Sequence, residues 1–172
     1  MASFMRLLTL DIMEPMQRRH YRFSNEFTLA APREQVHDVL LDLEFYGDWW
    51  PQVRAVAMLD EDNALVVCRS TLPYDLELRL TAVSRATDVL EVEIDGPIRG
   101  WARYHLDEPR PGVTLLRCEQ EVYAESLTMV LASYVARPLL IWNHGQMMRG
   151  LDSGIRARLA EPSQTGSSGA LR

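Results

Sequence analysis

Residues Leu127 to Leu159 form the longest stretch of this chain with a sustained helical period, and a rod of about 50 Å at 1.5 Å per residue must be housed by whatever else folds. Apolar residues recur at helical spacing at Leu127, Leu131, Tyr134, Pro138, Ile141, Met148, Ile155 and Leu159. Leu140, Trp142 and Met147 add apolar surface around most of the circumference, so the helix is expected to be wrapped on several sides. Pro138 removes one internal hydrogen bond and should kink the rod near Arg137.

Upstream the period changes to two. Tyr21, Phe23, Asn25, Phe27 and Leu29 share one strand face, with Arg22, Ser24, Glu26 and Thr28 on the other. Pro32 stands at a first helical position, and Val36, Val39, Leu40 and Leu43 mark one face of a helix of about three turns. The stretch EFYGDWWP adds a second short helix or turn. Strands are then expected at Val53–Leu59, Leu65–Ser70, Tyr74–Val83, Val89–Ile94, Ile98–Leu106 and Thr114–Tyr123, separated by turn chemistry at 60–63, 96–97 and 108–112. Connections this short favour an antiparallel meander, apolar on one face only. These elements predict an α+β domain in which a curved antiparallel sheet of about six to seven strands wraps around a long C-terminal helix, with two short helices after the first strand. A curved sheet cannot press flat along a whole helix, and the void left between them would suit a hydrophobic ligand. Residues 1–17 read as a loosely ordered leader or a short amphipathic helix, 18–160 as the folded domain, and 161–172 as a disordered tail.

The net charge of −6 argues against a nucleic-acid partner. All 18 basic residues are arginine, which excludes a Schiff-base lysine and a Walker-type phosphate loop. Cys68 and Cys118 fall within strands and read as core thiols. No apolar run reaches the 18 or so residues of a transmembrane segment, and the N-terminus lacks a signal peptide's features, so a cytoplasmic location is expected. His20, His37, His105 and His144 lie on different elements without ligand spacing, so no metal and no cofactor are expected.

Several strings resemble the START-like, Bet v 1-like (SRPBCC) superfamily, in its polyketide cyclase/dehydrase and lipid transport group: YRFSNEFTLAAPREQVHDVLLDLEFYGDWWPQVRAV, LPYDLEL, IDGPIRGWARYHL, PGVTLLRCE and RPLLIWNHGQMM. The likeness spans about residues 20 to 160 and implies a helix-grip fold with an internal cavity. Some members are aromatase/cyclases that fold and dehydrate a poly-β-ketone chain with an arginine, a tyrosine and tryptophans in the pocket. Counted back from Gly96-Pro97, Arg79 would stand at the arginine's place, and Trp49 or Trp50 would match a pocket tryptophan. The tyrosine has no counterpart, Arg54 lying nearest. Strand alternation instead sends Arg79 outward with Glu77 and Asp75, because a one-residue slip would expose Leu76, Leu78 and Leu80.

The candidate wall is therefore Leu76, Leu78 and Tyr104 from the sheet and Tyr134, Trp142, His144 and Met148 from the helix. Tyr46, Trp49 and Trp50 form either an aromatic lid or the closed end of the core. Arg54 is either a head-group partner at the mouth or a solvated rim residue. Asn25 and Gln120 face inward and need partners from protein, water or ligand. His144 is either an acid or base or a structural histidine.

The first reading is a protein that holds a hydrophobic small molecule, lipid or polyketide-like, without catalysis. A polyketide aromatase/cyclase or dehydratase is the alternative, and a protein-interaction module the third. Pairing as a homodimer is left open.

Overall fold

The computed structural model describes the backbone of residues 20–69, 75–124 and 127–161, and side chains over the same residues except 124 and 127–137. The expected leader and nearly all of the expected tail, together with Tyr74 and the side chain of Tyr134, lie outside what is described. In chain order the elements are β1 (His20–Leu29), α1 (Arg33–Leu41), a 3-10 turn (Leu43–Phe45), α2 (Tyr46–Trp49), β2 (Val53–Met58), β3 (Asn63–Cys68), β4 (Leu76–Ala86), β5 (Val89–Asp95), β6 (Ile98–Arg110), β7 (Val113–Ala124) and α3 (Leu127–Ala160). The strands make one seven-stranded antiparallel sheet in the order β1-β7-β6-β5-β4-β3-β2. Only β1 returns across the sheet, to pair with β7, because α1 and α2 carry the chain from one edge to the other.

Local chemistry sets the boundaries. Pro32 is the N-cap of α1, one position before the place expected for it: its backbone is extended, and its carbonyl accepts from the Gln35 and Val36 amides. The Asp60 carboxylate closes the β2–β3 turn by accepting from the Asp62 and Asn63 amides, both at 2.9 Å. Gly96 holds φ +135° between β5 and β6, where a Cβ would come 2.9 Å from the Glu77 carbonyl. Thr114, fully buried, donates its hydroxyl to the Ala31 carbonyl at 2.8 Å and ties β7 to the entrance of α1.

Alternation places side chains as the pattern required. On β4, Leu78 is buried, Leu76 and Leu80 are half-buried, and Arg79 and Glu77 are exposed. The convex face carries charge pairs such as Arg22–Glu121 and Arg103–Glu91, with the Arg103 guanidinium 4.8 Å from the centre of the Trp101 ring.

The helix departs from its expected packing in one respect. Leu151 and Ile155 are fully buried and Met148 nearly so, but Leu139, Ile141 and Trp142 are each more than 40% exposed. Ile141 and Met148 differ by only about 20° around an ideal helix, so depth along the rod separates them. The turn carrying α2 reaches α3 only further on: Trp50 Nε1 donates to the Met147 carbonyl at 3.1 Å, Gln52 to Gln146 at 3.4 Å, and Trp49 lies against Gly154. Around Ile141 no such cover is present among the described residues, and the sheet grips one side.

Candidate functional site

A void of about 220 Å³ lies between the concave face of the sheet and α3. The aliphatic part of its wall comes from β3, β4 and β5, through residues such as Val66, Leu78, Leu80 and Val92. Tyr21, Phe23, Ala102, Tyr104 and Gln120 line the other part from β1, β6 and β7. Leu140, Asn143, His144, Met147 and Met148 close it from the helix, and Tyr46 and Trp50 close one end.

The expected wall residues divide. Leu76, Leu78, Tyr104, Gln120, His144, Met148, Tyr46 and Trp50 all face the void. Trp142 does not: it sits two residues from both Leu140 and His144, about 200° round the helix from each, and is 44% exposed. Trp49 is buried against Gly154 instead of lining the void. Arg54 is exposed at the head of β2, just past the inward-facing Val53. Asn25 faces a separate pocket of about 20 Å³, shared with Gln120, His144 and Met148. Arg79 points to solvent.

Sequence reasoning left out several wall residues although it had the signal for them. Tyr21 and Phe23 belong to the inward face of β1, and Ala102 is in phase with Tyr104 on β6. Leu140 and Met147 lie in helical phase with His144. Only the position of the void along the sheet, which no local pattern encodes, makes these residues its wall.

The aromatic end is a built cluster. Tyr46 packs edge-on to Trp49 with ring centres 4.9 Å apart, and Trp49 and Trp50 stack at 5.9 Å. The Tyr46 hydroxyl donates to the Leu40 carbonyl at 2.5 Å and so pins the end of α1. Burial raises its pKa and that of Tyr104, because the phenolate would be stranded in an apolar interior. The same effect raises the thiol of Cys68 to about 11 and that of Cys118 to about 12; both are free and buried.

His144 is the most unusual group here. Its ring stacks on Phe23 with centres 3.7 Å apart and planes 19° from parallel. Its Nε2 is buried with no hydrogen-bond partner among the described residues, and desolvation lowers its pKa to about 4. The other histidines are engaged elsewhere: His20 on Tyr123 and Glu121, His37 between Asp38 and the Arg85 carbonyl, His105 beside Glu119. Among the described residues no three His, Cys, Asp or Glu side chains gather as a metal site, and no helix is long and apolar enough to cross a membrane.

Solved structures share this architecture across most of the chain. A START superfamily protein from Mycobacterium smegmatis superposes with a TM-score of 0.69 at 15% identity, over 82% of this chain and 97% of that one. This chain has the START-like, Bet v 1-like helix-grip fold. The Zhui aromatase/cyclase from Streptomyces sp. R1128 superposes with a TM-score of 0.73 at 13% identity, over 87% of this chain and all of that one. A norcoclaurine synthase from Thalictrum flavum, solved with a transition-state analogue, reaches a TM-score of 0.59 at 10% identity, over 83% and 96% of the two chains. No family model matches the sequence, and no curated protein does. At such identities the likeness establishes the fold, and the chemistry of the site has to be argued from its own residues.

Proposed function

We propose that this protein binds a hydrophobic small molecule, lipid or polyketide-like, in the void between sheet and α3, and carries it without chemical change. The observation that supports this reading is the composition of the wall: among the described residues that line the void there is no Arg, Asp or Glu. Burying apolar ligand surface there gains about 25 cal/mol per Å². Four titratable groups on the wall are biased towards their neutral forms, His144 downward and Tyr46, Tyr104 and Cys68 upward. Groups so far from neutral pH exchange protons poorly, which favours holding over turnover.

A second reading, an aromatase/cyclase or dehydratase, draws on the likeness to the Zhui enzyme and on Tyr104 and His144 reaching one void. Loss of water from a poly-β-ketone mimic on incubation, abolished in His144→Leu, would favour it over the carrier.

The carrier reading is tested by native mass spectrometry of protein from the producing cell, which should retain an apolar molecule. A solvatochromic apolar dye should also bind to the emptied protein. Ala102 lines the void, so Ala102→Phe places a ring in it and should weaken dye binding at least tenfold. Unchanged dye binding in that folded variant moves the site elsewhere and overturns the proposal.

A further inference from the structure

The wall of the void is not uniform: apart from the aromatic end at Tyr46 and Trp50, its polar side chains Tyr21, Tyr104, Gln120, Asn143 and His144 come from β1, β6, β7 and α3. Sheet register lines up Phe23, Gln120 and Ala102 in one cross-strand row, with Val92 next to Ala102 on β5. Tyr104 stands in the row on one side of it and Tyr21 in the row on the other. Beyond Ala102 the sheet presents only aliphatic side chains and Cys68 to the void. His144 stacks directly on Phe23, whose cross-strand partner is Gln120, so the imidazole and the amide flank one ring. Two polar atoms of this corner, His144 Nε2 and the Tyr21 hydroxyl, are buried without a hydrogen-bond partner among the described residues. A buried polar atom left unpaired is a standing penalty that an oxygen brought in by a ligand would remove.

We propose that the molecule held here is uncharged and mainly apolar, with one hydrogen-bonding oxygen, a hydroxyl or carbonyl, seated against His144 and Gln120. The inference rests on the reading of the void as a ligand site and narrows what that site accepts. A carboxylate or phosphate would be buried with no cation in the described wall to meet it, at a loss far larger than a hydrogen bond recovers. His144 does not supply that cation, since desolvation keeps its ring neutral at pH 7. A hydroxyl satisfies the corner in either tautomer of the imidazole, as donor or acceptor, and Gln120 offers the complementary role. The void, about 220 Å³ and open on one side, has room for a one- or two-ring molecule.

Three probes of nearly one shape separate these statements: naphthalene, 2-naphthol and 2-naphthoate, titrated by calorimetry or fluorescence at pH 7.5. Wild-type protein should bind 2-naphthol about tenfold more tightly than naphthalene, the scale of one buried hydrogen bond, and 2-naphthoate most weakly. His144→Leu should erase the preference for the hydroxyl, so that 2-naphthol binds no more tightly than naphthalene, with a cooperative thermal melt showing that the variant is folded. Gln120→Leu should reduce the preference in the same direction. Equal binding of naphthalene and 2-naphthol, tightest binding of 2-naphthoate, or a hydroxyl preference that survives both variants overturns the proposal and leaves the void as a ligand site. Failure of all three probes and of the apolar dye removes the ligand site, and this proposal with it.

Discussion

His144 couples the protonation of one buried ring to the stability of the fold. The folded state lowers its pKa to about 4, against about 6.5 for an unperturbed histidine. Between those values the unfolded chain binds the extra proton, so stability must rise with pH across that window and be complete above about pH 6.5. Acidification from pH 7 to 4 should therefore remove up to about 3 kcal/mol through this residue alone. Urea midpoints measured from pH 4 to 7 should fall less steeply in His144→Leu than in wild type. Equal slopes would mean that water reaches the ring freely. At the same scale, Arg79 is exposed while its neighbour Leu78 is buried. Arg79→Gln should leave dye affinity within twofold, whereas Leu78→Ala should destabilise by about 2–5 kcal/mol in denaturant titrations. A loss of binding in Arg79→Gln would restore the arginine to the pocket and overturn the strand phase.

Glycine spacing in α3 is the element-scale device that joins the helix to the α2 end. A Cβ at Gly154 would collide with the Trp49 carbonyl, and one at Gly150 with the Gln52 side chain, while Gly145 has open space around it. The two tight positions are four residues apart, on one face of the helix: Gly154 lets the Trp49 backbone lie against the rod, and Gly150 makes room for the Gln52 side chain. Gly154→Ala should therefore destabilise by about 1–3 kcal/mol through overpacking. Gly145→Ala should be neutral or stabilise by about 0.4–1 kcal/mol by restricting the unfolded chain. Thermal melts of the pair settle the matter, and a neutral Gly154→Ala would mean that α2 can retreat from the helix. Within the aromatic cluster Trp49 packs against Gly154, and Trp50 with Tyr46 faces the void.

At the scale of the whole molecule, the proposed ligand would be linked to folding through the void between sheet and α3. Ligand at a hundredfold excess over its Kd should add about 2.7 kcal/mol by mass action, which for a chain of this size raises Tm by about 5–10 °C. Ala102→Phe should show an unchanged or higher Tm without ligand and almost no further shift with it. A ligand-induced shift of the wild-type size in that variant would place the bound molecule outside the void. What the residues alone determined was periodicity: alternation on β1, β4, β6 and β7 decided which side chains face the helix, because a strand's period of two leaves no other phase that hides its leucines. The length of α3 and the short strand connections likewise imposed a sheet gripping a rod. Only the tertiary structure decided how far along the rod that grip extends, leaving Trp142 and Ile141 exposed and drawing Trp49 onto Gly154. It alone placed the void where His144 meets Phe23. Those outcomes depend on where the aromatic turn after α1 lands on the helix, a contact between residues about 100 positions apart that no local pattern records.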